Sequence, residues 1–462
     1  MKVLLLSLFH PELVRGGAQQ ICYELFEGLR DVEGVTPFLL AAVDPTMPEL
    51  YKTGARITGF DGRPDEFVFL SNSYDYFWHK LPGDSLADAY SEFLRLVRPD
   101  VVHFHHFLLF GLDFLTLTRR VLPETRIVLT FHEFLSICMA NGQMVRTTDR
   151  SICDRASPVR CHQCFPAITP EYFFMRQLWT QRHFEAVDIF TTPSRFMIDI
   201  FARSGIDVDR MVHVANAHGS RAASSAPEVQ PASRPRFGLL RRWGARSQSS
   251  IDARRRRAVN GAGRRLERRN RFGFFGQMID NKGVHVILEA VGILRTDGFT
   301  DFVIELNGGN LRFASEGRRR EIEAFLEREG ELPSEQRVVI ATGAYEVGQL
   351  ASLMGRIDWV LVPSVWREAF CLVVSEAWAF GKPVICSNVG GMAERVQDGD
   401  NGLVFPVGDA RALAAVIRRA CTEKGLWERT SRGIAPPPAR SVMVSEFLEL
   451  YRHGLSSATA VA

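Results

Sequence analysis

The chain has 462 residues, enough for two or three domains at about 150 residues each. Apolar residues make up 46% and charged residues 24%, which excludes a disordered chain, a collagen-like repeat or a coiled coil. The net charge of +3 hides an asymmetry: Arg234–Arg271 holds 14 Arg against Asp252 and Glu267, so this stretch carries +12 and the remainder −9.

Met1–Phe9 (MKVLLLSLF) has the look of a signal peptide. Its apolar part is short, however, and His10, Pro11 and Glu12 stand where a small-residue cleavage site would be. It reads as a buried first strand, and no apolar run reaches the 18 or so residues of a membrane span. A soluble, cytoplasmic protein is expected. Further strands are predicted at Val35–Val43, Asp100–Phe104, Arg126–Phe131, Ile189–Thr192 and Met211–Ala215, with Ile21, Leu25 and Leu29 marking one helical face after the first. A second series follows at Arg271–Phe275, Phe302–Asn307, Arg337–Thr342, Trp359–Pro363, Pro383–Cys386 and Leu403–Phe405. Helices are predicted over Val284–Arg295, Arg318–Glu329 and Arg411–Thr422. Strand–helix alternation builds a parallel sheet covered on both faces. It occurs twice, separated by Gly219–Asn270, whose Ala, Ser, Pro and Arg content reads as a linker. Two doubly wound α/β domains with an active site in the cleft between them are therefore expected.

Three stretches could carry chemistry. After Trp359–Pro363 the chain reads S-V-W-R-E-A-F-C-L-V-V-S-E, which places Glu368 and Glu376 eight residues apart. On a helix that is roughly 12 Å along the axis, too far for the carboxylate pair of a glycoside hydrolase, at about 5–9.5 Å. It suits a sugar diphosphate and its ribose, with free amides near Phe370, Cys371 and Leu372 at a helix N-terminus for the phosphates. Two surface glutamates flanking an apolar helix is the bland alternative. The second stretch is Phe274–Gly283, where Gly276 allows a tight turn and Lys282 precedes a helix, suited to phosphate oxygens or merely solvated. The third, Arg15-Gly16-Gly17-Ala18, opens the first helix with glycines that let an anion approach backbone amides, or simply forms a turn. No G-x-G-x-x-G occurs, which argues against a nicotinamide dehydrogenase.

Together with Thr130-Phe131-His132-Glu133 and Gly390-Gly391…Glu394…Asp398-Gly399…Gly402-Leu403, these residues give a chain that resembles the family 4 retaining glycosyltransferases of the GT-B fold. The resemblance covers all but Gly219–Asn270. It implies an acceptor-side domain over 1–218 with a cysteine-rich insertion at 133–170, a linker at 219–270, a sugar-nucleotide domain over 271–435, and a C-terminal helix and tail at 436–462 that pack back on the first domain. By the same resemblance Glu368 contacts the transferred sugar, Glu376 the ribose, and Lys282 the departing diphosphate. Gly16, Gly17, Gly276, Gln277 and the amides of Phe370, Cys371 and Leu372 line the donor site, and His132 sits near the reacting sugar or packs at a strand end. Such enzymes need no catalytic metal. Gln277 stands where the family usually has Arg, and Cys371 where it usually has Gly. The implied activity is retaining transfer from a nucleotide-diphosphate sugar to a glycan or lipid-linked acceptor in surface polysaccharide assembly. The alternatives are a nucleotide-sugar hydrolase or epimerase, or an inactive membrane- or nucleic-acid-binding protein.

Cys138, Cys153, Cys161 and Cys164 follow the spacing C-x14-C-x7-C-x2-C. Four thiolates could staple the loop around a structural zinc ion; buried free thiols and redox chemistry stay open beside it. The arginine-rich linker suits anionic lipid, and Phe237-Gly-Leu-Leu-Arg-Arg-Trp243 suits a membrane interface, which would make the protein peripheral to the cytoplasmic membrane face. Nucleic acid is disfavoured by the scarcity of stacking aromatics, and a solvated insertion is the remaining reading.

Overall fold

The computed structural model describes residues 1–47, 54–71, 73–81, 83–217 and 269–455. The chain divides into two compact units, Met1–Gly219 with Pro438–Ala462, and Ser220–Pro437.

The first unit runs β1 (Lys2–Leu8), α1 (Gly17–Arg30), β2 (Thr36–Val43), β3 (Ile57–Gly59), β4 (Glu66–Leu70), α2 (Asp84–Val97), β5 (Val101–Phe104), α3 (Asp113–Val121) and β6 (Arg126–Thr130). It continues through α4 (Pro158–Cys164), α5 (Pro170–Phe184), β7 (Ile189–Thr192), α6 (Arg195–Arg203) and β8 (Met211–His213). Among the described residues these strands form an eight-stranded sheet, order β3-β4-β2-β1-β5-β6-β7-β8. Helices cover both faces, so the inner strands are apolar throughout instead of alternating; Val3, Leu4, Leu5 and Leu6 are all buried. The periodicity reading misses β3 and β4, which pair antiparallel at the sheet edge. A three-residue strand carries no period, and a five-residue apolar run cannot be told from a helical segment.

The helix Arg440–His453 belongs to this first unit. Its Met443, Phe447 and Tyr451 are buried, Arg440 Nε donates to Glu24 Oε2 at 2.6 Å, and Tyr451 Oη lies 2.7 Å from His103 Nδ1.

The second unit runs β9 (Arg271–Gln277), α7 (Val284–Thr296), β10 (Val303–Gly309), α8 (Glu316–Glu331), β11 (Val339–Gly343), α9 (Leu350–Met354) and β12 (Trp359–Val362). It ends with α10 (Leu372–Ala379), β13 (Val384–Ser387), α11 (Gly391–Arg395), β14 (Gly402–Phe405), α12 (Ala410–Thr422) and α13 (Leu426–Arg432). Its parallel sheet has the order β11-β10-β9-β12-β13-β14. β11 starts two residues later than predicted because Arg337 turns back to close α8, donating to the carbonyls of Leu332 at 2.8 Å and Gly330 at 2.7 Å.

In each sheet the strand order reverses beside the first strand: at β1/β5 in one, at β9/β12 in the other. Ligands of doubly wound sheets bind outside the carboxyl ends of the strands at that switch. Gly16-Gly17 follow β1 and His105-His106 follow β5; Lys282 follows β9 and Glu368 follows β12.

Of the arginine-rich stretch, only residues 269–271 lie among the described residues. There Arg269 stacks on Trp427 at 3.7 Å and pairs with Asp358 at 3.4 Å, while Arg271 pairs with Glu305 at 3.4 Å. These two arginines are thus half-buried against side chains of the second unit. The rest of the linker and residues 456–462 lie outside the described residues. Among the described residues no helix is long and apolar enough to cross a membrane.

Candidate functional site

The site of the second unit is built by two turns that hold each other. After β9 the chain makes a short turn at Asp280–Lys282, and Gly283 takes a left-handed conformation, φ +71°, to open α7. A side chain at Gly283 is impossible without movement, since a Cβ would lie 1.8 Å from the Pro363 carbonyl oxygen. That contact, with Val365 N–H donating to Asn281 O at 2.9 Å, docks the β9 turn onto the segment leaving β12. The outcome is an ion pair: Lys282 Nζ donates to Glu368 Oε1 at 2.6 Å. Ser364 Oγ at 2.8 Å and Trp366 Nε1 at 3.0 Å donate to the same oxygen. Burial alone would push the Glu368 carboxyl up, but Lys282 and these donors outweigh it and hold it below the usual carboxylate range. Burial likewise opposes the Lys282 charge, and Glu368 outweighs it, so the ammonium is held above its ordinary value.

The pair of glycines at Gly390-Gly391 backs this loop. Gly391 N–H donates to Glu368 O at 2.8 Å, and a Cβ on Gly391 would lie 2.6 Å from Ala369 O. Glu368 therefore sits on a loop braced from behind, not on the helix, which begins only at Leu372. Cys371 occupies the left-handed region, φ 66°, at the start of α10, a position that favours glycine. Sequence reasoning did not find what supports it. Arg395 Nη1 donates to the Phe370 and Cys371 carbonyls at 3.1 and 3.2 Å, its Nη2 donates to Ser375 Oγ at 2.6 Å, and its guanidinium stacks 3.9 Å over Phe370. With those carbonyls turned toward Arg395, the strained residue is pinned at the helix entrance. No local pattern marks this arginine, whose carbonyl partners lie 24 and 25 residues before it. Glu376 lies half-buried in α10, its carboxyl pushed up to about 7 by burial. Tyr345, also unforeseen, interacts with it and packs edge-on to Phe275 at 5.8 Å. Gln277 ends β9 exposed, and Gly276 has φ +145°.

In the first unit Gly16 precedes α1 and Gly17 begins it. His132 follows β6 and meets His105 from the end of β5, beside His103 and His106. His105 Nδ1 and His132 Nε2 are 3.1 Å apart with the rings within 20° of coplanar, and burial drives both well below the ordinary imidazole value, His132 to about 3. Both rings are neutral, so one proton is shared between the facing nitrogens. The far nitrogen of His105, Nε2, is buried with no hydrogen-bond partner among the described residues. An orphaned buried N–H is rarer and costlier than an orphaned acceptor, so the proton sits on Nδ1 and points at His132. That leaves His132 protonated on Nδ1, with its Nε2 accepting from His105. Imidazole nitrogen–proton correlation spectra of the histidine-labelled protein should show His132 as the Nδ1–H tautomer, unchanged between pH 5 and 8; titration in that range would refute the assignment. His106 Nδ1 accepts from Leu108 N–H at 3.0 Å, and its Nε2 faces Glu133 Oε1 at 3.5 Å. Glu133 is pushed up to about 8 by burial.

Cys138, Cys153, Cys161 and Cys164 are half-buried, and none forms a disulfide among the described residues. Among the described residues no three His, Cys, Asp or Glu side chains are placed to hold a metal ion. The loop carrying them is knit by a bridge between Val145 and Ile152, by Thr147 Oγ1 donating to Cys164 O at 2.6 Å, and by Arg146 donating to Gln163 at 3.2 Å.

Comparison with known proteins matches each unit separately. Residues 15–218 match the profile described as Glycosyltransferase Family 4, and residues 269–423 the one described as Glycosyl transferases group 1. Glycogen synthase of Mycobacterium tuberculosis is 30% identical over 174 residues, 38% of this chain and 38% of that protein. The lipopolysaccharide 1,2-N-acetylglucosaminetransferase of Salmonella typhimurium is 30% identical over 164 residues, 33% of this chain and 39% of that one. The chain thus spans about two fifths of the length of these curated relatives. Sucrose-phosphate synthase from Thermosynechococcus elongatus superposes with a TM-score of 0.66 at 16% identity, covering 99% of this chain and 100% of that one. Anabaena HepE in complex with UDP gives 0.63 at 16% identity with the same coverage. With both sheets in the doubly wound order and both family profiles matched in sequence, the chain belongs to the family 4 glycosyltransferases of the GT-B fold.

Proposed function

We propose that the protein transfers a sugar, with retention, from a nucleoside-diphosphate sugar to a glycan or lipid-linked acceptor, in surface polysaccharide assembly. The observation that carries this reading is the Lys282–Glu368 pair at the switch point of the second sheet, beside the entrance of α10. Negative charge grows on the diphosphate as the glycosidic bond breaks, and a preorganised ammonium there stabilises the transition state more than the ground state. Glu368, kept ionised, accepts hydrogen bonds from sugar hydroxyls. Glu376 accepts from the ribose, and His132 donates to a sugar oxygen. HepE is complexed with UDP in its solved structure, in line with a nucleotide at such a site. A lipid-linked acceptor is supported by α5, which exposes Tyr172, Phe174, Met175 and Leu178.

The test is release of nucleoside diphosphate from a panel of sugar nucleotides, with and without glycan acceptor, read beside binding of the same sugar nucleotides. Glu376→Gln is expected to weaken sugar-nucleotide binding by roughly 10-fold or more, since a charged acceptor is lost. It should also stabilise the protein. The folded chain holds the Glu376 proton more tightly than the unfolded chain does, so ionising it between pH 4.5 and about 7 costs stability. Above pH 7 the variant should gain no more than about 3 kcal/mol, less because solvent reaches the carboxyl, and below 4.5 nothing. Neither turnover nor binding with any sugar nucleotide would refute the function; turnover independent of acceptor would point to a hydrolase.

A further inference from the structure

The first unit keeps a histidine that packing alone does not explain. His105 is 1% exposed, and its ring lies 4.1 Å from that of His103 and 6.3 Å from that of Phe447 on the helix Arg440–His453. Its Nε2 is sealed with no hydrogen-bond partner among the described residues. A phenyl ring would fill the same space without that unpaired nitrogen, whose burial costs free energy. What the imidazole gains is one hydrogen bond, from Nδ1 to His132 Nε2 at 3.1 Å, with the ring planes 20° apart.

His103 anchors the arrangement from behind. Its Nδ1 lies 2.7 Å from Tyr451 Oη and its Nε2 2.7 Å from Thr130 Oγ1, so neither nitrogen is free to turn away. Phe447 packs on the same ring at 5.0 Å. His105 is thereby held between this fixed ring and His132. His132 itself is half-buried. Its Nδ1 makes no hydrogen bond among the described residues and, unlike His105 Nε2, is not sealed. An imidazole has a broad, two-fold torsion about Cβ–Cγ. Without the inner hydrogen bond the His132 ring could turn over and put Cδ2 where Nδ1 stands.

We propose that His105 is a positioning residue: through its Nδ1–H it holds the His132 ring in the one orientation that offers Nδ1–H to the sugar. The role depends on His132 donating to a sugar oxygen, as proposed above. When the bond is lost, a share of the molecules presents a carbon to the sugar in place of a donor. Lys282 and Glu368 belong to the second unit and are untouched, so the loss falls on kcat and not on KM for the sugar nucleotide.

The experiment uses the full chain. Nucleoside diphosphate release is measured for wild type, His105→Phe, His105→Leu and His105→Asn, beside Tm and the imidazole nitrogen spectra. Leucine and asparagine have the same shape, and only asparagine presents an N–H near the place of the imidazole Nδ1–H. The phenylalanine and leucine variants should lose about 10-fold or more in kcat with KM within about 2-fold. Their His132 Nε2 resonance should move toward that of a nitrogen accepting no hydrogen bond. His105→Asn should keep the hydrogen-bonded resonance and recover roughly 3-fold or more of the lost kcat, although it buries an unpaired carbonyl oxygen and is less stable than His105→Leu. Should His105→Phe fail to fold, the leucine–asparagine pair carries the test. A purely structural role predicts the opposite order, with turnover following Tm and His105→Leu at least as active as His105→Asn. That order, or an unmoved Nε2 resonance, would overturn the positioning role. A wild type inactive on every sugar nucleotide would remove the proposed function and this role with it, whereas an active wild type with equally active variants removes this role alone.

Discussion

Gly283→Ala should be the most damaging single methyl in the second unit, costing on the order of 4 kcal/mol or preventing folding. Two penalties add. The φ of +71° is unfavourable for any residue with a Cβ, and the added carbon would lie 1.8 Å from the Pro363 carbonyl oxygen, a backbone atom that cannot swing away. Gly298 isolates the first penalty, because it has the same φ of +71° with nothing within 4 Å of its would-be Cβ. Gly298→Ala should therefore cost about 1 kcal/mol. Urea unfolding of the two variants measures the difference directly; equal losses would mean the turn after β9 is not pressed against the exit of β12. If Gly283→Ala folds by pushing the two turns apart, Lys282 moves with them, and sugar-nucleotide binding should fall in step with stability.

Lys282→Ala is expected to lose on the order of 3 kcal/mol at pH 7, because it strands the Glu368 carboxylate with only the Ser364 and Trp366 donors. Replacing both partners, Lys282→Met with Glu368→Gln, should recover much of that loss. The effect has a defined pH sign. Glu368 is held below its unfolded value of 4.5, so the stability it contributes is fully present above that pH and disappears as the pH falls through the folded value. The gap between wild type and Lys282→Ala should therefore close in acid, where the stranded carboxylate takes up a proton. A double-mutant cycle by urea unfolding at pH 7 and pH 4 tests both parts. A coupling under about 0.5 kcal/mol at pH 7 would show that the pair is a loose surface contact. Turnover tells a different story from stability here: both single variants and the double should be inactive on sugar nucleotides, since a refilled pocket does not restore the charge at the diphosphate.

Much of the architecture was legible because both sheets are buried on two faces. Continuous runs such as Val3-Leu4-Leu5-Leu6 and Trp359-Val360-Leu361-Val362 announce inner strands without alternation. The edge pair β3–β4 was not legible, being too short for any period. At the site, Lys282 and Glu368 could be named because each belongs to a local pattern of turn, charge and glycine. Their pairing spans 86 residues and follows from the strand order that sets β9 beside β12. Arg395, Tyr345 and His105 lay beyond sequence reasoning for a similar reason. Arg395 works through carbonyls 24 and 25 residues away, and nothing local distinguishes it from the solvated arginines that crowd this chain. His103 and His105 share a sheet face, and their period of two was visible in V-V-H-F-H-H. The interpretation depended on seeing that the second ring has a sealed, partnerless nitrogen.

The helix Arg440–His453 returns to a unit whose other residues end at Gly219, and this sets an order of events during synthesis. At roughly 5–20 residues per second, the ribosome needs on the order of tens of seconds to make the intervening stretch. During that interval the first sheet has left the exit tunnel, yet Glu24 lacks Arg440 and His103 lacks Tyr451. The nascent N-terminal unit must wait with an apolar seam open until the helix Arg440–His453 is translated. A slow stretch of codons in the second unit would lengthen that exposure, and a chaperone would find its binding surface there, on the groove that Phe447 and Tyr451 later fill.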